Sequence, residues 1–124
     1  MRNFLFRTKY ISMTTVFLQQ SEYYVGKTIH LSLYDANTGQ ELCIATTNIA
    51  GYIPAPGHVL IKDWSENEGV YKALFKAGVV GPIVRRVPAG FVEAYECELL
   101  KAGRIDPDVR DRVLQTLEKE DKNV

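Results

Sequence analysis

The run 62–79, KDWSENEGVYKALFKAGV, constrains the fold more than any other stretch, because it carries a helix together with its start and its stop. Ser65 followed three residues later by Glu68 is the capping-box pattern, in which the serine hydroxyl and the glutamate carboxylate satisfy free backbone N–H groups reciprocally. Val70, Leu74 and Phe75 then share one face at helical spacing, and Lys72 and Lys76 place positive charge toward the C-terminal end of the dipole. Gly78 suits the left-handed conformation that ends a helix, with Val79 folding back over Leu74 in a Schellman stop. A short helix with one apolar face must pack against something. The segments on either side say what.

Those flanks read as strands. Residues 14–19 are β-branched and apolar, with 21–24 continuing them after a break, and residues 27–34 alternate, placing Ile29, Leu31 and Leu33 on one face and His30, Ser32 and Tyr34 on the other. The turn formers of 35–40, Gly39 among them, predict a hairpin that returns through 41–48. Residues 51–57 hold two prolines and two glycines and read as a loop. Beyond it, 58–63 is a short strand feeding the helix. After Gly78, residues 79–82 read as a turn, 83–87 as a strand, and 91–100 as an edge strand with a bulge, because Glu93, Glu96 and Glu98 interrupt its apolar positions. Asp106 and Pro107 open a second helix whose narrow stripe is Val109, Val113, Leu114 and Leu117. The predicted fold is therefore α+β: a single small domain, one mostly antiparallel β-sheet with a central packed helix and a C-terminal helix.

The expected divisions are 1–12, an N-terminal extension or arm; 13–105, the α+β domain; and 106–124, the C-terminal helix and tail. Met13 opens a convincing strand, so 1–12 is either a stretch upstream of a start at Met13 or an extended or amphipathic arm on the domain or on a neighbouring subunit. It lacks the continuous apolar core and the small-residue cleavage site of a signal peptide. The stripe of the last helix docks on the domain's own sheet, or it pairs two copies into a homo-oligomer.

Charge narrows the functional classes. With 15 basic and 15 acidic side chains among 124 residues, the net charge is zero and no global field draws in nucleic acid or an anionic membrane. No apolar run approaches the roughly 20 residues that span a bilayer. Cys43 and Cys97 have no metal-ligand spacing and read as reduced thiols, which points to the cytoplasm. No nucleophile elbow, phosphate-binding glycine loop, HExxH or paired-cysteine site is present. Asp63, Glu66 and Glu68 with His58 could form an acid–base or metal cluster, but the capping box accounts for Glu68, the helix dipole for Glu66 and the end of a strand for Asp63 more simply. We therefore assign no catalytic residue, no metal ligand and no cofactor. The binding candidates are Tyr52, Trp64, Arg85 and Arg86: aromatic side chains in loops suit the centre of a protein contact, and an arginine pair suits phosphate.

The combination of IKDWSENEG at 61–69, GVV at 78–80 and PAGFVE at 88–93 resembles a family of small uncharacterised proteins encoded by bacterial phages and conjugative elements. The likeness covers about 27–100, and the DWSENEG run is its most specific piece. It implies a genomic setting and supplies no catalytic residue. The expectation is a non-enzymatic accessory protein that binds a host protein, including a component of host defence. A small nucleic-acid-binding factor using Arg85, Arg86 and loop aromatics stands second, and a small hydrolase or metal-dependent enzyme third.

Overall fold

The computed structural model describes residues 3–24, 26–100 and 107–122. The α+β class is as the sequence predicts, but the strands form two antiparallel sheets instead of one. In the first, β1 (Phe4–Phe6), β2 (Thr14–Glu22), β3 (Ile29–Asp35) and β4 (Glu41–Ile44) lie in the order β1-β2-β3-β4. In the second, β5 (His58–Ile61), β6 (Val80–Ala89) and β7 (Val92–Leu99) lie in the order β5-β7-β6. An antiparallel bridge between Thr46 and Ile61 links them, flanked by Thr47 N–H to Leu60 C=O at 2.9 Å and Lys62 N–H to Ala45 C=O at 2.9 Å. The predicted return strand 41–48 thus divides, its first half pairing with β3 and its second half reaching the other sheet.

Alternation decides what each strand buries. Val16 and Leu18 of β2 and Leu31 and Leu33 of β3 enter the core, while Phe17 and Tyr34, paired across the strands, stack on the other face at 5.3 Å. Val59, Ile61, Cys97 and Val80 bring one face of the second sheet to the same core. Against both lies α1 (Val70–Lys76), through Val70, Tyr71, Ala73, Leu74 and Phe75. Tyr71 is buried entirely, and its hydroxyl donates to Gly81 C=O at 2.9 Å.

The stop of α1 is as predicted. Gly78 takes φ 76°, its N–H reaches Phe75 C=O at 3.0 Å, and Val79 N–H reaches Leu74 C=O at 3.0 Å, the two bonds of a Schellman motif. The start is not. Ser65 begins a 3-10 turn (Ser65–Asn67), has a positive φ of 53° and caps nothing, and Glu68 pairs with Lys9 instead of closing a capping box. The cap is Asp63, whose Oδ1 accepts from Gly69 N–H at 3.0 Å and whose Oδ2 accepts from Tyr71 N–H at 2.7 Å. Gly69 stands at φ 94° just before the helix, with Thr8 so close that a Cβ would lie 3.6 Å from its side chain. Asp63→Ala is thus expected to lower stability by about 1–2 kcal/mol in chemical denaturation, with Ser65→Ala close to neutral. The reverse ranking would restore the capping box.

Two strand assignments change. β7 is the central strand of its sheet and not an edge, since His58 to Ile61 pair with it on one side and Val80 to Ala89 on the other. Of the residues read as a turn at 79–82, Val80, Gly81 and Pro82 begin β6, which tolerates Pro82 and Pro88 because an edge strand has no partner on its outer side to miss an N–H. The bulges lie in β6, between Val80 and Ile83 and between Ile83 and Arg85.

Both ends of the chain join the core. β1 pairs with β2 in the register Phe4 to Val16 and Phe6 to Thr14, and Phe6 is buried among the core residues. Residues 1–12 therefore include an extended segment packed on the domain. The C-terminal helix α2 (Pro107–Lys122) touches α1, and Val113 and Leu114 pack on the main core, so its docking partner is mainly a helix and not the sheet expected. The N-cap read at Asp106 and the side chain of Leu117 lie outside the described residues. Val113→Asp is expected to lower the unfolding midpoint equally at all protein concentrations. A folded variant that merely sediments as a smaller species would instead place this stripe between two copies.

Candidate functional site

The face of the second sheet turned away from α1 carries a second, smaller cluster. Strand alternation puts Leu60, Val87 and Ala94 there, and Ile49, Tyr52 and Trp64 pack over them. His58 precedes Leu60 by two residues on β5, Arg85 precedes Val87 by two on β6, and Glu96 follows Ala94 by two on β7, so all three share this face. Cross-strand pairing sets Glu96 opposite Arg85. The proline-rich loop 49–57 closes over them.

Glu96 is only 1% exposed, and both its carboxylate oxygens are occupied. Oε1 accepts from the Tyr52 hydroxyl and lies 3.5 Å from an Arg85 Nη, which itself donates to the Tyr52 oxygen at 2.7 Å. Oε2 accepts from His58 Nδ1 at 2.6 Å and from the Ala55 N–H at 3.3 Å. Burial raises the carboxyl pKa, but the bonds from Tyr52, His58 and Ala55 outweigh it and hold the group below the ordinary glutamate range. Glu96 is thus a buried anion bonded to two loop residues, one β5 residue and one β6 residue. It fastens loop 49–57 to the sheet.

The four predicted binding residues divide accordingly. Tyr52 and Arg85 meet at Glu96, and Trp64 packs with Tyr52 in the smaller cluster. Arg86 belongs to the opposite face, its guanidinium 4.9 Å from the Tyr95 ring centre. The arginine pair is therefore split across the sheet and does not form one phosphate fork. The imagined acid–base cluster disperses as well: Asp63 caps α1, Glu66 pairs with Lys62 at 2.6 Å, Glu68 pairs with Lys9 at 3.2 Å, and His58 joins Glu96. Among the described residues, no three His, Cys, Asp or Glu side chains are grouped to hold a metal ion. Sequence reasoning missed Glu96 itself. Its one signal in the sequence is a glutamate among apolar positions in a strand, a pattern that equally suits an edge strand.

Burial also explains the thiols. Cys97 is buried and its pKa is pushed up, and the half-buried Cys43 is pushed up to about 11, with desolvation the main cause in each. Both are free and unsuited to act as thiolates at neutral pH.

A groove of about 890 Å³ lies elsewhere, between α1 and the chain around β1. None of His58, Tyr52, Arg85 and Glu96 lines it. The titratable cluster and this concavity are separate features.

Fold and site together define a small α+β protein of two linked antiparallel sheets, with a loop fastened by a buried glutamate. No family model, curated protein or solved structure matches the chain. No helix among the described residues is long and apolar enough to cross a membrane.

Proposed function

We propose that this protein is a non-enzymatic accessory factor that acts by stoichiometric binding to a host protein. The observation that carries this reading is the exposure of large apolar side chains on well-held supports. Phe91 is fully exposed in the two-residue turn between the paired Ala89 and Val92, and Ile53 is 76% exposed on the loop that Glu96 fastens. Apolar side chains on a backbone already held in place lose only their own rotamer freedom on docking, and sparing the ordering of the backbone favours binding. The resemblance to proteins of phages and conjugative elements supports a bacterial host as the source of the partner and host defence as its setting.

Quantitative capture from a bacterial host lysate tests the proposal, with the wild type compared against Ile53→Ser/Phe91→Ser. The expected result is one protein retained in near-stoichiometric amount by the wild type and lost by the variant, both showing the same unfolding midpoint. Equal retention by the two proteins, or none by either, contradicts it.

One observation favours an enzymatic reading. A buried carboxylate on His58 Nδ1 fixes the imidazole in the tautomer a general base uses. We rank it second, because neither cysteine is suited to act as a nucleophile and the groove lies apart from this histidine.

A further inference from the structure

We infer that the outer edge of β1 is a strand-addition site, and that its occupant is a short extended apolar segment of a partner protein. This places a second contact away from Ile53 and Phe91 and rests on the reading above only in taking the occupant to be protein.

Backbone direction is the first argument. The Ala36 N–H reaches Thr15 C=O at 2.8 Å, so Thr15 turns its backbone groups toward β3 and has none for β1. Leu5 stands opposite Thr15 in a regular register, and the two are therefore a non-hydrogen-bonded pair. The neighbours Phe4 and Phe6 serve β2, whereas the N–H and C=O of Leu5 point away from it and meet no partner among the described residues. Leu5 is also 65% exposed. A donor and an acceptor open on one residue are what an incoming strand takes up when it lengthens a sheet.

The other outer edges are closed. Asn67 Nδ2 donates to Ile44 C=O of β4 at 2.6 Å, and the chain beyond β4 crosses to β5, where the Thr47 N–H takes Leu60 C=O. On β6, two prolines and two bulges interrupt the edge. Among the described residues β1 alone is an outer strand without such a device beyond its shortness.

The groove beside this edge chooses the occupant. Leu5 and Met13, both largely exposed, line it on one side, and Ala73 and Ala77 of α1 line it on the other with side chains short enough to leave room. A guest residue paired with Leu5 lies against that side chain, which favours an apolar one. A second copy of this chain fits poorly, because two-fold pairing of β1 sets the same surface against itself and leaves each concavity facing the other, unfilled. A single extended segment fills the groove and pairs with the edge at once. A nucleic acid strand has no amide and carbonyl repeat to offer Leu5.

Fluorescence anisotropy on the full chain tests the inference with three labelled probes: a short synthetic peptide alternating Val and Thr, the same peptide N-methylated at its Val amides, and the same peptide N-methylated at its Thr amides. Alternate amides of a strand point to opposite edges, so one methylated peptide is expected to bind as the parent does and the other to lose about tenfold or more in affinity. Leu5→Pro removes the outward N–H and should weaken the parent peptide by a similar factor. The methylated probes are read on the wild type, so they decide the matter even where Leu5→Pro costs stability. Absence of binding by the parent peptide overturns the inference. Equal effects of the two methylations, whether both peptides bind or neither does, also overturn it, as does a folded Leu5→Pro variant that binds unchanged. A wild type that sediments as a dimer and a Leu5→Pro variant that sediments as a monomer would reassign the edge to a second copy. Ile53→Ser/Phe91→Ser leaves Leu5 intact, so the host-capture proposal and this one fail separately.

Discussion

Replacing Glu96 with alanine is expected to destabilise the protein by about 2–4 kcal/mol, because one side chain supplies the acceptors for four donors on three different segments. The Tyr52 hydroxyl, the His58 ring and the Ala55 amide would each lose a charged partner within a mostly buried site, while the exposed Arg85 can turn to water. Glu96→Gln should fall between, since an amide keeps one acceptor oxygen and adds donors where donors already point. The pH dependence follows. Because the native pKa lies below the ordinary glutamate value of 4.5, this stabilisation is complete above that value and is lost as pH falls through the depressed native pKa. Asp35, held down by the Asn37 amide, and Glu66, held down by Lys62, act in the same direction in both proteins. The difference between the wild-type and Glu96→Gln unfolding midpoints therefore isolates Glu96, and it should shrink on acidification from about pH 5 toward pH 3. A constant difference would mean that the carboxylate charge is not what the site uses.

The second large effect is at the other end of the fold. Phe6→Ala removes a ring that is 1% exposed and packed in the main core, and is expected to cost about 3–5 kcal/mol. Starting the chain at Met13 removes β1 altogether and uncovers the edge of β2 along with that part of the core. Small domains have only about 5–15 kcal/mol of stability in total, so the truncated chain should be mostly unfolded at ordinary temperature. Circular dichroism and thermal unfolding of the two chains decide this. An unchanged melting curve would make residues 1–12 a detachable arm instead of a strand of the sheet.

The same physics explains which parts of this fold were legible in the sequence. Periodicity over 27–34 identified the core face of β3, and glycine chemistry identified the stop at Gly78, because each rests on neighbours a few residues apart. Asp63 is not legible as the cap because its oxygens accept from amides six and eight residues ahead, past the 3-10 turn, whereas the capping-box pattern looks only three ahead. The strand order was hidden for a related reason. Glu96 looked like an edge residue because a charged side chain in a central strand is stable only when distant partners neutralise it, and those partners sit 11 to 44 residues away in sequence. Tyr52 and Arg85 stand out in the sequence by their chemical types alone. Their meeting point required the fold.

Amide hydrogen exchange across loop 49–57 tests most directly the claim that Glu96 serves to hold a binding surface in place. The Ala55 N–H donates to Glu96 itself, and the His58 N–H donates to Ala55 C=O at 2.9 Å. These amides are expected to exchange slowly in the wild type and to lose protection in Glu96→Gln, while the amides of β2 and β3 remain as slow as before. Fast exchange at Ala55 and its neighbours in the wild type, unchanged by the substitution, would contradict the account and leave Glu96 without the role assigned to it.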